Sequence, residues 1–238
     1  MNMTKKQEKV YGILLKPVVS DKKADRIQKY HRVIISLQVY YGAPDEDMCD
    51  FTLGFYKVLY GDNLLKDKEL LNERNRIKNN DFAGDTMNSF NTIAKLINGS
   101  QSNEENIPVN PALQFYKEQY HCLANFWVIP MQHGRKSPKT VGKTYTHDSP
   151  VLYTQALMST IEEVRREEQL CNFKKIHFLP ETESPEIIKA AYKQKGGSIL
   201  LKSALEYIDA RAKIIIGNYD MTNRLYDYFQ EVDVLEDD

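Results

Sequence analysis

The stretch Tyr120-His121-Cys122-Leu123-Ala124-Asn125-Phe126-Trp127-Val128-Ile129-Pro130 decides how the rest of the chain is read. Its second half, Phe126 to Met131, is a short apolar run bounded by Pro130. It is too brief for a helix and suits a strand or an extended core segment. It also holds the only Trp, which a run of this kind places in the core. On either side the spacing of apolar residues is helical, so this strip is the exception in an otherwise helical chain.

Working upstream, Pro111 suits the first turn of a helix running toward Leu123, with Leu113, Tyr116, Tyr120 and Leu123 on one side. Residues 98–110 (NGSQSNEENIPVN) are polar and turn-rich and read as a linker. Before them, Asp85 is a candidate N-cap for a helix over Thr86 to Ile97. Phe51 to Tyr60 and Leu64 to Lys78 read as helices separated by Gly61-Asp62-Asn63. From Asp21, the positions Ala24, Ile27, Tyr30, Ile34, Leu37 and Tyr41 recur at three- and four-residue steps, predicting a helix that Gly42-Ala43-Pro44 stops.

Downstream, Ser149-Pro150 opens a helix to about Leu170, with Leu152, Ala156, Ile161 and Val164 turned inward. A short strand is expected near 173–178. Helices then follow over Glu186 to Gln194 and Ser198 to Ile214, divided by Gly196-Gly197. Asp220 is placed as the cap of a last helix anchored by Leu225, Tyr228 and Phe229. The fold class this predicts is mainly α, an irregular helical bundle with at most a few short strands around 126–131 and 173–178. It divides into a helical N-terminal half (1–98) and a helical C-terminal half (111–238) bearing the aromatic and basic segment 120–148, or forms one single domain.

Composition narrows the function classes. With 32 Lys and Arg against 33 Asp and Glu, the net charge of −1 does not make the whole chain a polyanion binder. Any anion site must be local. Three cysteines, Cys49, Cys122 and Cys171, are widely spaced and suggest neither a disulfide framework nor a zinc knuckle. The apolar run Val10 to Leu15 is too short for a signal-peptide core or a membrane span, so a cytoplasmic protein without a membrane partner is expected.

The local anion site is sought after Pro130. Arg135, Lys136, Lys139 and Lys143 follow one another with no acidic residue before Asp148, and His133 stands beside them. Four such charges can neutralise phosphates, with His133 and Trp127 near enough in sequence to bond to or stack on a base. Gly142-Lys143-Thr144 resembles the end of a phosphate-binding loop, but Ser137 occupies the position of its first glycine. His147-Asp148, with His121 or His133 before and Asp209 after, follows the ligand order of helical HD phosphohydrolases, where a divalent metal ion activates water. The acidic cluster Asp45-Glu46-Asp47 reads as a solvated loop rather than a cation site.

One resemblance extends this reading. His121-Cys122-Leu123-Ala124-Asn125-Phe126, then Val128-Ile129-Pro130, Lys143, Tyr145 and Ser149-Pro150-Val151-Leu152, resembles the segment after the catalytic histidine in HNH-type endonuclease domains of bacterial restriction and phage-defence proteins. It is also similar to bacterial families of unknown function with a GNFxxxP-like motif. The resemblance covers about residues 121–157 and implies that Asn125 fixes the loop geometry. It also implies a bacterial or phage setting, in defence or counter-defence. From Asn80 to Gln119 the chain has no histidine, where family members carry their general base, and Ala124 replaces a glycine. A non-catalytic relative is therefore expected.

The leading expectation is a binding or interaction protein that contacts nucleic acid or another anionic partner through residues 133–143, with no cofactor. One alternative is a metal-dependent nuclease or phosphodiesterase, HNH-like or HD-like, using His121, His133, His147 or Asp148 and a divalent metal ion. The other is a structural or oligomeric scaffold.

Overall fold

The computed structural model describes residues 2–17, 34–36, 50–61, 63, 81–87, 90–99, 110–130, 149–158, 163–181 and 184–235. The fold is mainly α. In chain order the elements are α1 (Lys5–Leu15), β1 (Ile34–Ser36), α2 (Asp50–Tyr60), β2 (Asp81–Thr86), α3 (Phe90–Asn98), α4 (Pro111–Gln119), a 3-10 turn (Leu123–Asn125) and β3 (Phe126–Pro130). They are followed by α5 (Pro150–Met158), α6 (Glu163–His177), α7 (Pro185–Lys193), α8 (Gly197–Gly217) and α9 (Tyr219–Glu231).

The long helix α8 is the axis of the molecule because apolar side chains occupy two adjoining stripes along it. Leu200, Leu201, Ala204, Ile208, Ala212, Ile215 and Ile216 are all buried, spaced so that each turn presents one or two of them inward. α1 and α9 pack on its C-terminal half, α3, α4 and α7 elsewhere along it. α9 also covers α2, where the Tyr228 ring stacks on Phe51 and its hydroxyl donates to the Phe51 carbonyl at 2.6 Å. One continuous hydrophobic cluster runs from Val10 and Leu14 of α1 through Phe55 and Leu59 of α2 to Leu225 and Phe229 of α9.

Local signals set several of the helix ends. Thr4 and Gln7 form a reciprocal capping box at α1, each side chain bonded to the other's backbone amide at 3.3 and 2.9 Å. The side chains of Asn110 and Ser184 cap α4 and α7, each ahead of a proline in the first turn. The starts of α4 and α7 follow the sequence reading, as do α2, the strand Phe126–Pro130 and the paired helices α7 and α8, whereas α1 has no counterpart in it.

Several expectations are corrected. Residues 173–178 are not a strand: Phe173 and His177 lie one turn apart on α6 and are both buried, a helical spacing that the aromatic composition concealed. Asp85 does not cap a helix, because its backbone is in β2 opposite Trp127, and α3 begins only at Phe90. Within the helix predicted from Asp21 to Tyr41, residues 34–36 form β1, where pairing with Asp81 to Ala83 of β2 outweighs the helical period. The rest of that helix lies outside the described residues, like the one expected over 64–78. Val164 is 98% exposed rather than inward, on a stretch of α6 that is solvent-facing all round. Finally, Asn218 caps α9 through a 3.0 Å bond from the Met221 amide, and Asp220 sits in the first turn instead. α4 stops at Gln119, short of Leu123, and the helix opened by Pro150 is described over α5 and α6, beyond Leu170.

β1, β2 and β3 make an antiparallel sheet with β2 in the centre. Its role here is to present β3 to the helices: Phe126, Trp127 and Val128 are each at most 1% exposed. Among the described residues no helix is long and apolar enough to cross a membrane.

Candidate functional site

Two polar features interrupt the apolar interior, and both are built on α8. The first is Arg211, fully buried on the stripe that otherwise carries aliphatic side chains. Its Nε donates to the carbonyl of His177 at 3.0 Å. One Nη donates to the carbonyls of Ala124 and Phe126 at 2.8 and 2.6 Å, and the other reaches the Tyr60 hydroxyl at 3.5 Å. No carboxylate contacts it among the described residues. The charge is instead met by carbonyl dipoles, including the last residue of α6, where the helix presents its negative end. The planar guanidinium suits this task because its donors diverge in a fixed fork and reach several acceptors at once.

Around Arg211 the polar groups account for one another. The Tyr60 oxygen accepts from the Val128 amide at 3.2 Å as well as from Arg211, which leaves its own proton for Nδ1 of His177, also at 3.2 Å. His177 is fully buried between the rings of Tyr60, Trp127 and Phe173. Asn125, buried in the 3-10 turn, donates to the Tyr120 carbonyl at 2.7 Å, and its own carbonyl accepts from the Met87 amide at 2.8 Å. The Cys122 thiol is pushed up to about 12 by burial, although nearby backbone amides and the Arg211 charge act in the opposite direction. Together these bonds tie α2, the end of α6, α8 and the start of β3 into one brace.

The second feature is a cavity of about 510 Å³ at the junction of α5, α6, α7 and α8. Pro150, Val151, Leu170, Leu179, Pro180 and Pro185 give it apolar walls. Arg166 and Lys174, two turns apart on α6, bring positive charge, and Tyr207 of α8 closes it from inside. At its edge Lys174 pairs with Glu181 at 2.9 Å.

The residues singled out from sequence fall into four groups. Asn125 and Trp127 are buried within the brace. His121 lies between α4 and the 3-10 turn, half-buried with its ring against Tyr120. His133, Arg135, Lys136, Lys139, Lys143, His147 and Asp148 lie outside the described residues. Asp209, the last member of the metal-ligand order, faces α1, where the Tyr11 hydroxyl and Lys213 Nζ hold its two oxygens. Burial alone would raise its carboxyl, but those two hydrogen bonds hold it below the ordinary carboxylate value; burial, and then Asp209 itself, push Tyr11 up to about 12. Among the described residues no group of three or more His, Cys, Asp or Glu side chains is placed to hold a metal ion.

Sequence reasoning missed Arg211, His177, Tyr60 and Tyr207. A signal existed for the first: Ala204, Ile208, Arg211 and Ile215 step by four, three and four residues, so an arginine stands where the helical period calls for an apolar side chain. The chain matches no family model, no curated protein and no solved structure.

Proposed function

We propose that this is a binding protein that contacts an anionic partner, nucleic acid in the first instance, through His133, Arg135, Lys136, Lys139 and Lys143. The reading is carried by one observation. A run of four cations with no acid among them starts five residues beyond β3, a strand whose first residues are buried and bonded to Arg211 and Tyr60. A segment joined to so fixed a stem loses less freedom on binding than one joined to a loose chain, which favours affinity. The setting in bacterial or phage defence rests on the resemblance at residues 121–157 alone.

The test is a protein in which Arg135, Lys136, Lys139 and Lys143 are all changed to Ala. Binding to duplex DNA, single-stranded DNA and RNA is measured by fluorescence anisotropy across a salt series. Loss of four phosphate contacts lowers the slope of log affinity against log salt by about 3 to 4 for duplex DNA. An unchanged slope and affinity would sink the proposal. Strand cleavage by the parent protein in magnesium, manganese or zinc would replace it with the phosphodiesterase alternative.

A further inference from the structure

The cavity between α5, α6, α7 and α8 shares no residue with the segment 133–143 and asks for a separate explanation. α5 packs on α6 and α7, and α7 packs on α8, so the space is framed by helices already in contact. Its volume, about 510 Å³, falls within the range of small-molecule sites. What it can hold follows from how its lining is arranged.

The apolar groups are recessed and polar groups stand outside them. Pro150, Leu179 and Pro180 are buried, and Val151, Leu170 and Pro185 are part-buried. Arg166, Glu181 and Ser184 are exposed around them. Six apolar side chains sunk in this way cannot supply the about 800 Å² per partner that a stable protein interface buries. A flat partner meets the polar rim first, whereas a small molecule reaches the floor.

The polar groups of the lining are engaged with the protein itself. Lys174 of α6 pairs with Glu181 at 2.9 Å, and Gln155 of α5 donates to Glu186 of α7 at 3.4 Å. The Thr154 hydroxyl donates to the Pro150 carbonyl at 2.7 Å. The hydroxyls of Ser149 and Ser184 accept from amides in the first turns of α5 and α7, so both helix starts at the cavity are capped by the chain. Arg166 is not free, and the groups that act on the Tyr207 hydroxyl are Arg211 and Tyr60 of the brace. A charged ligand must break into these pairings or enter the apolar floor unpaired, and either course is costly. A neutral ligand does neither.

We propose that this cavity binds a neutral, apolar small molecule, an aromatic or alicyclic ring system held by contact with Val151, Leu170 and Leu179 rather than by charge. The burial of its apolar surface supplies the affinity. The site and the nucleic-acid reading stand or fall separately.

N-phenylnaphthylamine and anilinonaphthalene sulfonate share one ring system, and only the second is charged, so the two dyes form the test pair. Each brightens in apolar surroundings, and fluorescence titration of the full chain gives both affinities. The neutral dye is expected to saturate, with the sulfonate weaker by about tenfold or more because its charge finds no partner in the floor. Leu170→Gln, which makes the wall polar, and Val151→Trp, which fills the space, should each weaken the neutral dye by about tenfold. Arg166→Gln should leave it within about twofold, since no charge takes part. Circular dichroism melts identify the folded variants. Absence of saturable binding by the neutral dye, an equal or tighter sulfonate, or an unchanged neutral-dye affinity in every folded wall variant would overturn the assignment. If neither wall variant folds, the dye pair on the parent chain decides.

Discussion

The hairpin of α8 and α9 with α1, and the brace around Arg211, lie within one molecule but are held by opposite means. Met221, Leu225 and Phe229 of α9 and Val10 and Leu14 of α1 close on the aliphatic stripe of α8. Its fully buried polar detail is local, such as the Thr222 hydroxyl donating to the Ile216 carbonyl at 2.8 Å, while the bonds that reach α1, from Gln7 to the Ile216 carbonyl and from Tyr11 to Asp209, are only part-buried. The brace instead brings together a tyrosine, a histidine, an arginine and three carbonyls separated by up to 151 residues of chain. Apolar packing tolerates small losses, since each side chain supplies one of many contacts. A buried polar set does not, because removing one member leaves the others without partners in a medium that cannot replace them.

Arg211→Met is the sharpest way to break that comparison. Methionine fills much of the volume but leaves the carbonyls of Ala124, Phe126 and His177 without their donor, a loss of about 3 to 5 kcal/mol by analogy with breaking a buried charged set. Ile208→Val, one turn earlier on the same helix, should cost only about 1 kcal/mol. Urea denaturation with equal slopes for the two variants is the measurement. If Arg211→Met lies within about 1 kcal/mol of the parent, the guanidinium does not hold β3 to the helices. Arg211→Lys keeps the charge but not the fork, so it should fall between the two.

A second test moves to a contact where the hairpin side is as unforgiving as the brace. A Cβ on Gly197, the first residue of α8, would lie 2.6 Å from Cγ1 of Ile97 and 2.9 Å from backbone atoms of Ile97 and Leu96. The side chain of Ile97 can turn away, but the backbone of α3 cannot move without shifting the helix. Gly197→Ala should therefore destabilise by about 1 to 3 kcal/mol, the range for overpacking. Gly12, whose added Cβ would meet nothing, is the control: Gly12→Ala should be neutral or stabilising by up to about 1 kcal/mol. Parity between the two glycines in thermal melts would show that α3 and α8 can separate freely.

The same contrast explains what the sequence disclosed. Periodicity and capping are local, so α2, α4, α7 and α8 could be read from the spacing of apolar residues and from Asn110-Pro111 and Ser184-Pro185. Strand Phe126–Pro130 was legible because Pro130 bounds its apolar run. Where partners came from far along the chain the reading failed: Asp85 has the composition of a cap but pairs with Trp127, and Ile34 fits a helical period but pairs with Ala83. The candidate sites divide in the same way. A cationic run shows itself in any sequence, whereas the cavity needs α5, α6, α7 and α8 assembled before Arg166 and Tyr207 can be seen to share a space. Val164 misled for a related reason, since α6 keeps a mixed pattern along a stretch that has nothing to cover.

The smallest effect is expected where neither packing nor buried polarity is in play. Lys195 follows α7 with φ of 57°, in the left-handed region, while the Gly196 amide bonds to the Ala191 carbonyl at 2.7 Å to close the helix end. That closure is usually made with glycine at the left-handed position, because a Cβ there crowds the following carbonyl. Phe178 after α6 and Asp233 after α9 adopt the same conformation, but Phe178 packs against the core and its replacement would mix two effects. Lys195 is exposed, so Lys195→Gly isolates the backbone term: relief of about 1 kcal/mol of strain, reduced by the greater freedom glycine has when unfolded, for a net gain of about 0.5 kcal/mol. Lys195→Ala leaves φ unfavourable and should show no gain. A melt in which alanine stabilises as much as glycine would trace the effect to the lysine side chain rather than to the turn, and would remove backbone conformation from the account of how α7 ends.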